Sequence, residues 1–255
     1  LMPLIDTGYH HYEEGYRGVW YRRYVIASVG LRACLANQWM KRLITISWAL
    51  CLAMVGLLFL IGQLLVEDSI AFTFLEGLGP AIQGLFNGLM SWLLDRPEAS
   101  VHVTYNFLFF QFATKISFLS FIALAIAIPH LITTDLASRA LLVYSSKAVN
   151  RLDYLIGKFG IAFGLLSILW LGPVCAAWVF GNLLAPDWNF FIHSRHALIN
   201  AIQYVAASMT VLSVLAMGIS ATSTKEKSTG ATWIAIWLLG NAFILISLAF
   251  SVVSA

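Results

Sequence analysis

The chain has 255 residues, of which 60% are hydrophobic and only 11% are charged, whereas soluble domains carry about 25% charged residues. With a mean hydropathy of +0.83, this composition excludes a water-soluble globular domain. The formal net charge of +3 is explained by basic residues beside membrane segments, so no nucleic-acid partner is predicted.

Residues 1–42 are predicted to form a cytoplasmic N-terminal segment containing an amphipathic helix at the membrane surface. From Gly18 to Arg42, apolar side chains recur at mostly three-, four- and seven-residue steps, with basic residues between them. This pattern is typical of interfacial helices. A solvated basic arm is the alternative, but it does not explain the two tryptophans. Several arginines precede the first apolar run, so no signal peptide is predicted.

Residues 43–255 are predicted to form a single transmembrane domain, an all-α polytopic bundle, because a span needs roughly 20 mainly apolar residues. Five segments meet this requirement: Leu43 to Val66, Tyr105 to Ile128, Leu155 to Phe180, Leu198 to Ala221 and Ala231 to Val253. Because the chain begins at Leu1 and ends within the fifth apolar run, we expect a longer polypeptide with a sixth span beyond Ala255.

The basic residues predict the orientation of the bundle. Most of the 15 lysines and arginines precede the first span or follow the second and fourth spans. By the positive-inside rule the N-terminus is cytoplasmic, and a multi-pass location in a bacterial inner membrane is expected. Residues 67–104 would form an outer loop. Its apolar stripe from Leu78 to Leu93 predicts a short helix on or dipping into the outer leaflet, or else packed against the bundle.

Lys115 is the one permanent charge deep inside a predicted span. A lysine at the bilayer centre costs about 2.5–3.5 kcal/mol on insertion scales, so we expect it to face protein or water. A backbone carbonyl, a polar side chain, a neighbouring subunit or an anionic substrate would each be a suitable partner. The sequence is compatible both with a lysine paired to another group of the protein and with a lysine that lines the substrate pathway.

The sequence lacks the motifs of catalysis and metal binding. It has no G-x-x-x-x-G-K-[ST] phosphate loop, no G-x-S-x-G elbow and no H-E-x-x-H motif. We therefore expect no catalytic residue, no resident cofactor and no metal. His193 and His196 are a weak ligand pair without a nearby carboxylate or cysteine cluster. The three isolated cysteines are expected to be packing residues, and Gly160 with Gly164 predicts a close helix contact.

The segment from Asp135 to Lys158 is the most informative part of the chain. Apolar residues at helical spacing predict a short cytosolic helix within a loop at residues 131–154. The segment ends in the run Ala148-Val-Asn-Arg-Leu-Asp-Tyr-Leu-Ile-Gly-Lys158. This run resembles the Pro-Val-Ser-Arg-x-Asp/Glu-Tyr-Leu-x-Gly-Lys pattern of the ABC-2 type permeases, the membrane subunits of ATP-binding cassette exporters. Ala148 and Asn150 depart from the usual Pro and Ser.

The resemblance extends to the layout of nearly the whole chain and implies a six-span permease. In that family the loop forms a coupling helix that docks into a separate ATPase subunit, which would bind ATP and Mg. The interface or loop-positioning residues implied here are Asp135, Arg139, Lys147, Arg151 and Asp153. A second copy or a homologue would complete the pathway within the lipid bilayer.

Three alternatives compete with this interpretation. An ordinary positive-inside loop would explain the charges, although not the ordered ending of the motif. A secondary transporter or channel would need several intramembrane ionisable groups or paired broken helices, for which Lys115 alone is thin support. A membrane-embedded enzyme would need convergent histidines or carboxylates, which the scattered histidines do not supply.

Overall fold

The computed structural model describes residues 18–64, 97–140, 150–185 and 188–253, and these ranges are helical and contain no strand. A 3₁₀ turn at Ile128–His130 and a π turn at Ser167–Leu171 connect consecutive helices. The helices are α1 (Val19–Ala36), α2 (Gln38–Leu64), α3 (Pro97–Ala127), α4 (Thr133–Ala137), α5 (Arg151–Leu166), α6 (Gly172–Leu183), α7 (Asn189–Thr222) and α8 (Glu226–Val253). The expected helix at residues 78–93 lies outside the described residues.

Four of the described helical segments are long and apolar enough to cross a membrane. They are Gln38–Gln63, His102–Ala137, Arg151–Leu183 and Phe190–Thr222. They coincide with the first four predicted spans, so the prediction of a helical membrane bundle is confirmed. The fifth predicted span falls within α8, whose side chains are described only as far as Gly240. The number of spans beyond four stays a prediction.

A proline interrupts the helical hydrogen bonds between α5 and α6, and α2 supplies the missing donors. Pro173 has no N–H, so the carbonyl of Leu169, four residues earlier, loses its helical donor. The buried hydroxyl of Ser47 on α2 donates to that carbonyl at 2.5 Å. The indole of Trp48 donates to the neighbouring carbonyl of Ile168 at 3.2 Å. These two bonds attach α2 to the π turn.

A second proline interrupts the helix after α3, and α7 supplies the hydrogen-bond acceptor for the N–H groups that follow it. Pro129 ends α3, and the turn after it presents two buried N–H groups, those of Ile132 and Thr133. The hydroxyl of Ser220 on α7 accepts both, at 2.8 and 3.1 Å. The hydroxyl of Thr133 also lies 3.2 Å from that of Thr229 on α8. We call this end of the bundle the basic end; it comprises the start of α1, α4, the start of α5 and the α7–α8 turn.

α1 packs closely along α5, and the two helices run in the same direction. Three glycines of α5 face α1 in order: Gly157 faces Ile26, Gly160 faces Ala27 and Gly164 faces Leu31. A Cβ atom at Gly157 would lie 2.7 Å from the Cβ of Ile26. The predicted close contact at Gly160 and Gly164 is therefore confirmed, and the structure adds Gly157 and identifies α1 as the partner.

The predicted amphipathic segment is divided at Asn37 rather than continuous through Arg42. α1 ends at Ala36, and the helix of the first span begins at Gln38. The outward side of α1 is aromatic, with Trp20 77% exposed. Tryptophan is enriched at membrane interfaces, so this face suits the interfacial position, which stays a prediction.

Replacing Gly157 with alanine is expected to destabilise the bundle. The new methyl group would meet the Cβ of Ile26, which is fixed to the backbone of α1 and cannot rotate away. Overpacking of this kind costs about 1–3 kcal/mol. The matched control is Gly56→Ala, where the structure describes nothing within 4 Å of the added atom. Thermal unfolding in detergent should show a lower midpoint for Gly157→Ala only; equal midpoints would contradict the close packing.

Candidate functional site

The start of α5 turns three polar side chains of the sequence motif toward one cluster. Asp153, Tyr154 and Lys158 are all buried, with Asp153 only 3% exposed. Residues three and four positions apart share a face of an α-helix, and Gly157 occupies the same buried face. The spacing of the motif therefore produces one inward-facing polar surface.

Each charge of this surface has an oppositely charged partner on another helix. The Nε–H of Arg23 on α1 donates to Oδ1 of Asp153 at 2.7 Å. Nζ of Lys158 lies 2.8 Å from Oδ2 of Asp135 on α4. The hydroxyl of Tyr154 donates to the same carboxylate oxygen at 2.7 Å. These five residues form what we call the ion-pair cluster, which joins α1, α4 and α5.

The ion-pair cluster is more than a set of surface salt bridges. Its four charged side chains range from 5% to 22% exposed, so water screens them much less than it screens an exposed pair. Removing one partner of a buried pair leaves a desolvated charge, which is strongly unfavourable. The cluster therefore fixes the position of α4 and α1 relative to α5.

The structure separates the five residues proposed for coupling into different groups. Asp135 and Asp153 belong to the ion-pair cluster, where each carboxylate is paired with a cation on another helix. Arg139 and Arg151 are exposed at the basic end. Arg139 follows α4 with a positive φ of 57°, a left-handed conformation that ends a helix. Lys147 lies outside the described residues, and of the expected loop helix only α4 is described.

Sequence reasoning missed the roles of Arg23 and Lys158. Arg23 is one of the basic residues before the first span, which predict only the orientation of the chain, and its partner Asp153 is 130 residues away. Lys158 was recognised as a motif position without a structural role. The signal available in the sequence is the occurrence of an aspartate and a lysine, Asp153 and Lys158, where the chain enters an apolar span, with a further carboxylate, Asp135, at the other end of the loop.

A second polar region lies along α3 and α7, which run in the same direction. Successive pairs in contact are His102 with His196 (ring centroids 5.8 Å apart), Asn106 with Asn200 (3.1 Å between the side-chain amides) and Phe110 with Tyr204 (ring centroids 6.2 Å apart). Lys115 does not belong to this region: it follows Asn106 by about two and a half turns, which places it on the opposite side of α3 from the α7 contacts, and it is exposed on the outside of the bundle. Its side chain forms no ion pair or hydrogen bond with any residue that the structure describes.

Comparisons with family models, curated proteins and solved structures found no match to this chain. The resemblance to ABC-2 type permeases therefore depends on the motif, and functional inference depends on the geometry of the two polar regions.

Metal binding has no further support from the histidines. The ring of His196 contacts His102 rather than His193. Within the described residues, no group of three or more histidine, cysteine, aspartate or glutamate side chains is placed to hold a metal ion. Two histidines alone do not make up the four ligands that a structural zinc site uses.

Cys34 is a buried thiol on α1. Burial raises the pKa of Cys34, and the positive charge of Lys158 lowers it by a smaller amount. Since only the thiolate is nucleophilic, a raised pKa leaves little reactive species at neutral pH. This environment fits the predicted packing role.

Removing both members of the Arg23–Asp153 pair should be less damaging than the sum of the single changes. Asp153→Asn or Arg23→Gln alone leaves one desolvated charge and should cost at most about 3 kcal/mol. The double variant removes both charges, so unfolding measurements should give a coupling energy of at least about 1 kcal/mol. Strictly additive losses would show that the pair does not interact energetically.

Cys34 should be alkylated slowly by a maleimide. In a Cys51→Ala, Cys175→Ala background, its rate at pH 8 should be at least about tenfold below that of an exposed thiol, because it is buried and its pKa is raised. The rate should continue to rise above pH 9, the ordinary value of the group. Ala36→Cys in a chain also lacking Cys34 is the exposed control. Comparable rates for the two thiols would contradict this placement.

Proposed function

We propose that this chain is the permease subunit of an ABC-2 type exporter, driven by a separate ATPase through the loop between α3 and α5. The observation that carries the proposal is the burial of Asp153, Tyr154 and Lys158 in one cluster with Asp135 and Arg23. A loop that only sets membrane topology needs exposed charge and none of these contacts. The motif residues instead connect the two ends of the loop.

The contacts at the basic end would link both described ends of the loop to the bundle. Asp135 on α4 is held by Lys158 and Tyr154 of α5. Two residues before it, Thr133 is hydrogen-bonded to Ser220 of α7. A force applied to the loop therefore acts on α5, α7 and α4 together, and through Arg23 on α1. This connection is what ATP-driven closure of a partner subunit would require.

The other parts of the proposal follow from the same assignment. ATP and Mg are bound by the partner ATPase, and this chain performs no covalent catalysis. Two copies, or this chain and a homologue, enclose the pathway, with six spans each and the basic end in the cytoplasm of a bacterial cell. Lys115, on the outside of the bundle, would then line the space between the two subunits.

A secondary transporter or channel subunit is the second candidate. The observation that favours it is Lys115, since intramembrane charges mark ion and proton pathways. The two candidates differ in whether purified protein transports without an ATPase. Flux through liposomes containing only this chain would favour the second candidate, and dependence of flux on an ATPase subunit would favour the first.

Charge reversal at the two exposed arginines should weaken ATPase association. In the purified complex, Arg139→Glu and Arg151→Glu should each lower the affinity for the ATPase by at least about tenfold, equivalent to 1.4 kcal/mol. Membrane insertion and the unfolding midpoint should not change, because both side chains are exposed. Arg195→Glu is the matched control, since Arg195 is exposed at the opposite end of α7. Unchanged association for both variants would contradict coupling through this loop.

A further inference from the structure

A cavity of about 250 Å³ lies between α1 and α5, beside the ion-pair cluster. Four residues of α1 and two polar residues of α5 line it: Val25, Ile26, Val29, Gly30, Tyr154 and Lys158. Val25 and Val29 are 37% and 61% exposed, whereas Tyr154 and Lys158 are each only 8% exposed. The cavity therefore has an open apolar rim and a buried polar floor. We call it the α1–α5 groove.

The floor of the α1–α5 groove has unused hydrogen-bond donors. An ammonium group carries three N–H donors and no acceptor. Among the described residues, the only oxygen partner of Lys158 is the carboxylate of Asp135, 2.8 Å away. A buried donor without a partner is unfavourable. The remaining N–H groups of Lys158 therefore favour an oxygen acceptor in the groove.

The rim of the α1–α5 groove is positively charged. Arg32 follows Val29 by three residues and Val25 by seven, steps that place the three side chains on one face of α1. It is exposed, lies about 5 Å further along the helix than Val29, and forms no ion pair with any residue that the structure describes. Residues 18–64 contain no aspartate or glutamate. The rim therefore attracts anions.

α1 has the features of a helix that lies among lipid headgroups. Trp20 and Tyr24 on its outward side are 77% and 66% exposed, and these residue types are enriched at the membrane interface. The first span begins at Gln38, directly after α1. Basic pockets between membrane helices bind the headgroups of anionic lipids. A groove with a basic floor and an apolar rim on such a helix suits a lipid better than a soluble anion.

We propose that the α1–α5 groove binds an anionic phospholipid of the leaflet at the basic end. The groove is smaller than the roughly 300 Å³ of the smallest drug-sized pockets, so it holds the glycerol phosphate part, and the acyl chains extend past the rim. Lys158 donates to the phosphate. Because Asp135 already balances the charge of Lys158, Arg32 supplies the preference for an anionic lipid. This site needs neither an ATPase nor a transported substrate, so it does not depend on the proposed function.

The test is native mass spectrometry of the full chain released from detergent micelles, with bound lipids counted during a titration. The probes are phosphatidylglycerol, which is anionic, and phosphatidylcholine, which is zwitterionic, with the same acyl chains. Arg32→Gln removes the charge at the rim, and Val29→Trp places an indole over the groove. Both residues are exposed, so the packed core is not disturbed. Lys158 is left unchanged, because replacing it would break its ion pair with Asp135.

Phosphatidylglycerol should bind at least about fivefold more tightly than phosphatidylcholine, which corresponds to about 1 kcal/mol for one basic group near an anionic lipid. Arg32→Gln should remove this preference, and Val29→Trp should weaken the binding of both lipids at least about fivefold. The matched controls are Arg42→Gln, at an exposed arginine near the start of α2, and Val211→Trp, at a valine of α7 that is 58% exposed. Both controls should bind lipid like the unaltered chain.

The proposal is overturned if Arg32→Gln keeps the preference or if Val29→Trp binds both lipids like the unaltered chain. An equal loss of preference in Arg32→Gln and Arg42→Gln would also overturn it, because diffuse attraction to the basic end would explain that result. Glycerol 3-phosphate, which lacks acyl chains, should not displace phosphatidylglycerol; displacement at equal concentration would identify a soluble anion as the ligand instead. No ATPase is present, so these outcomes do not bear on coupling through Arg139 and Arg151.

Discussion

A backbone group that loses its helical partner in the apolar part of this bundle needs another partner within protein, because hydrocarbon supplies none. The two proline breaks show the consequence. The carbonyl that lacks a helical donor because of Pro173 accepts a hydrogen bond from Ser47, and the two N–H groups after Pro129 donate to Ser220. In both cases the satisfying hydroxyl comes from a different helix. Backbone groups without a partner in their own helix are therefore hydrogen-bonded by other helices. In this way α2 and α7 are attached to the two irregular turns.

The same constraint governs the ionised groups at the basic end. Asp153 and Asp135 are each matched by one cation, so the ion-pair cluster carries balanced charge in a poorly hydrated position. Its formation depends on the close approach of α1 and α5, which Gly157 permits. A larger residue there would push Arg23 away from Asp153. The close packing that the small residues permit and the pairing of the charges therefore depend on each other.

Lys115 differs from the cluster in its exposure and in its pairing. Lys158 is buried and paired with Asp135, whereas Lys115 is exposed and has no partner among the described residues. A lysine deep in a span opposes membrane insertion, so stability alone would favour an apolar residue at this position.

Hydropathy and spacing within the sequence determined the membrane bundle, the first four spans, the small-residue surface of α5 and the motif that begins it. These are local properties, because a run of apolar residues or a step of three or four depends only on neighbours along one helix. Only the tertiary structure decided that Arg23 meets Asp153, that His196 meets His102 rather than His193, and that Lys115 lies on the outside. Such pairings join residues that are far apart in the chain, and they depend on how whole helices pack.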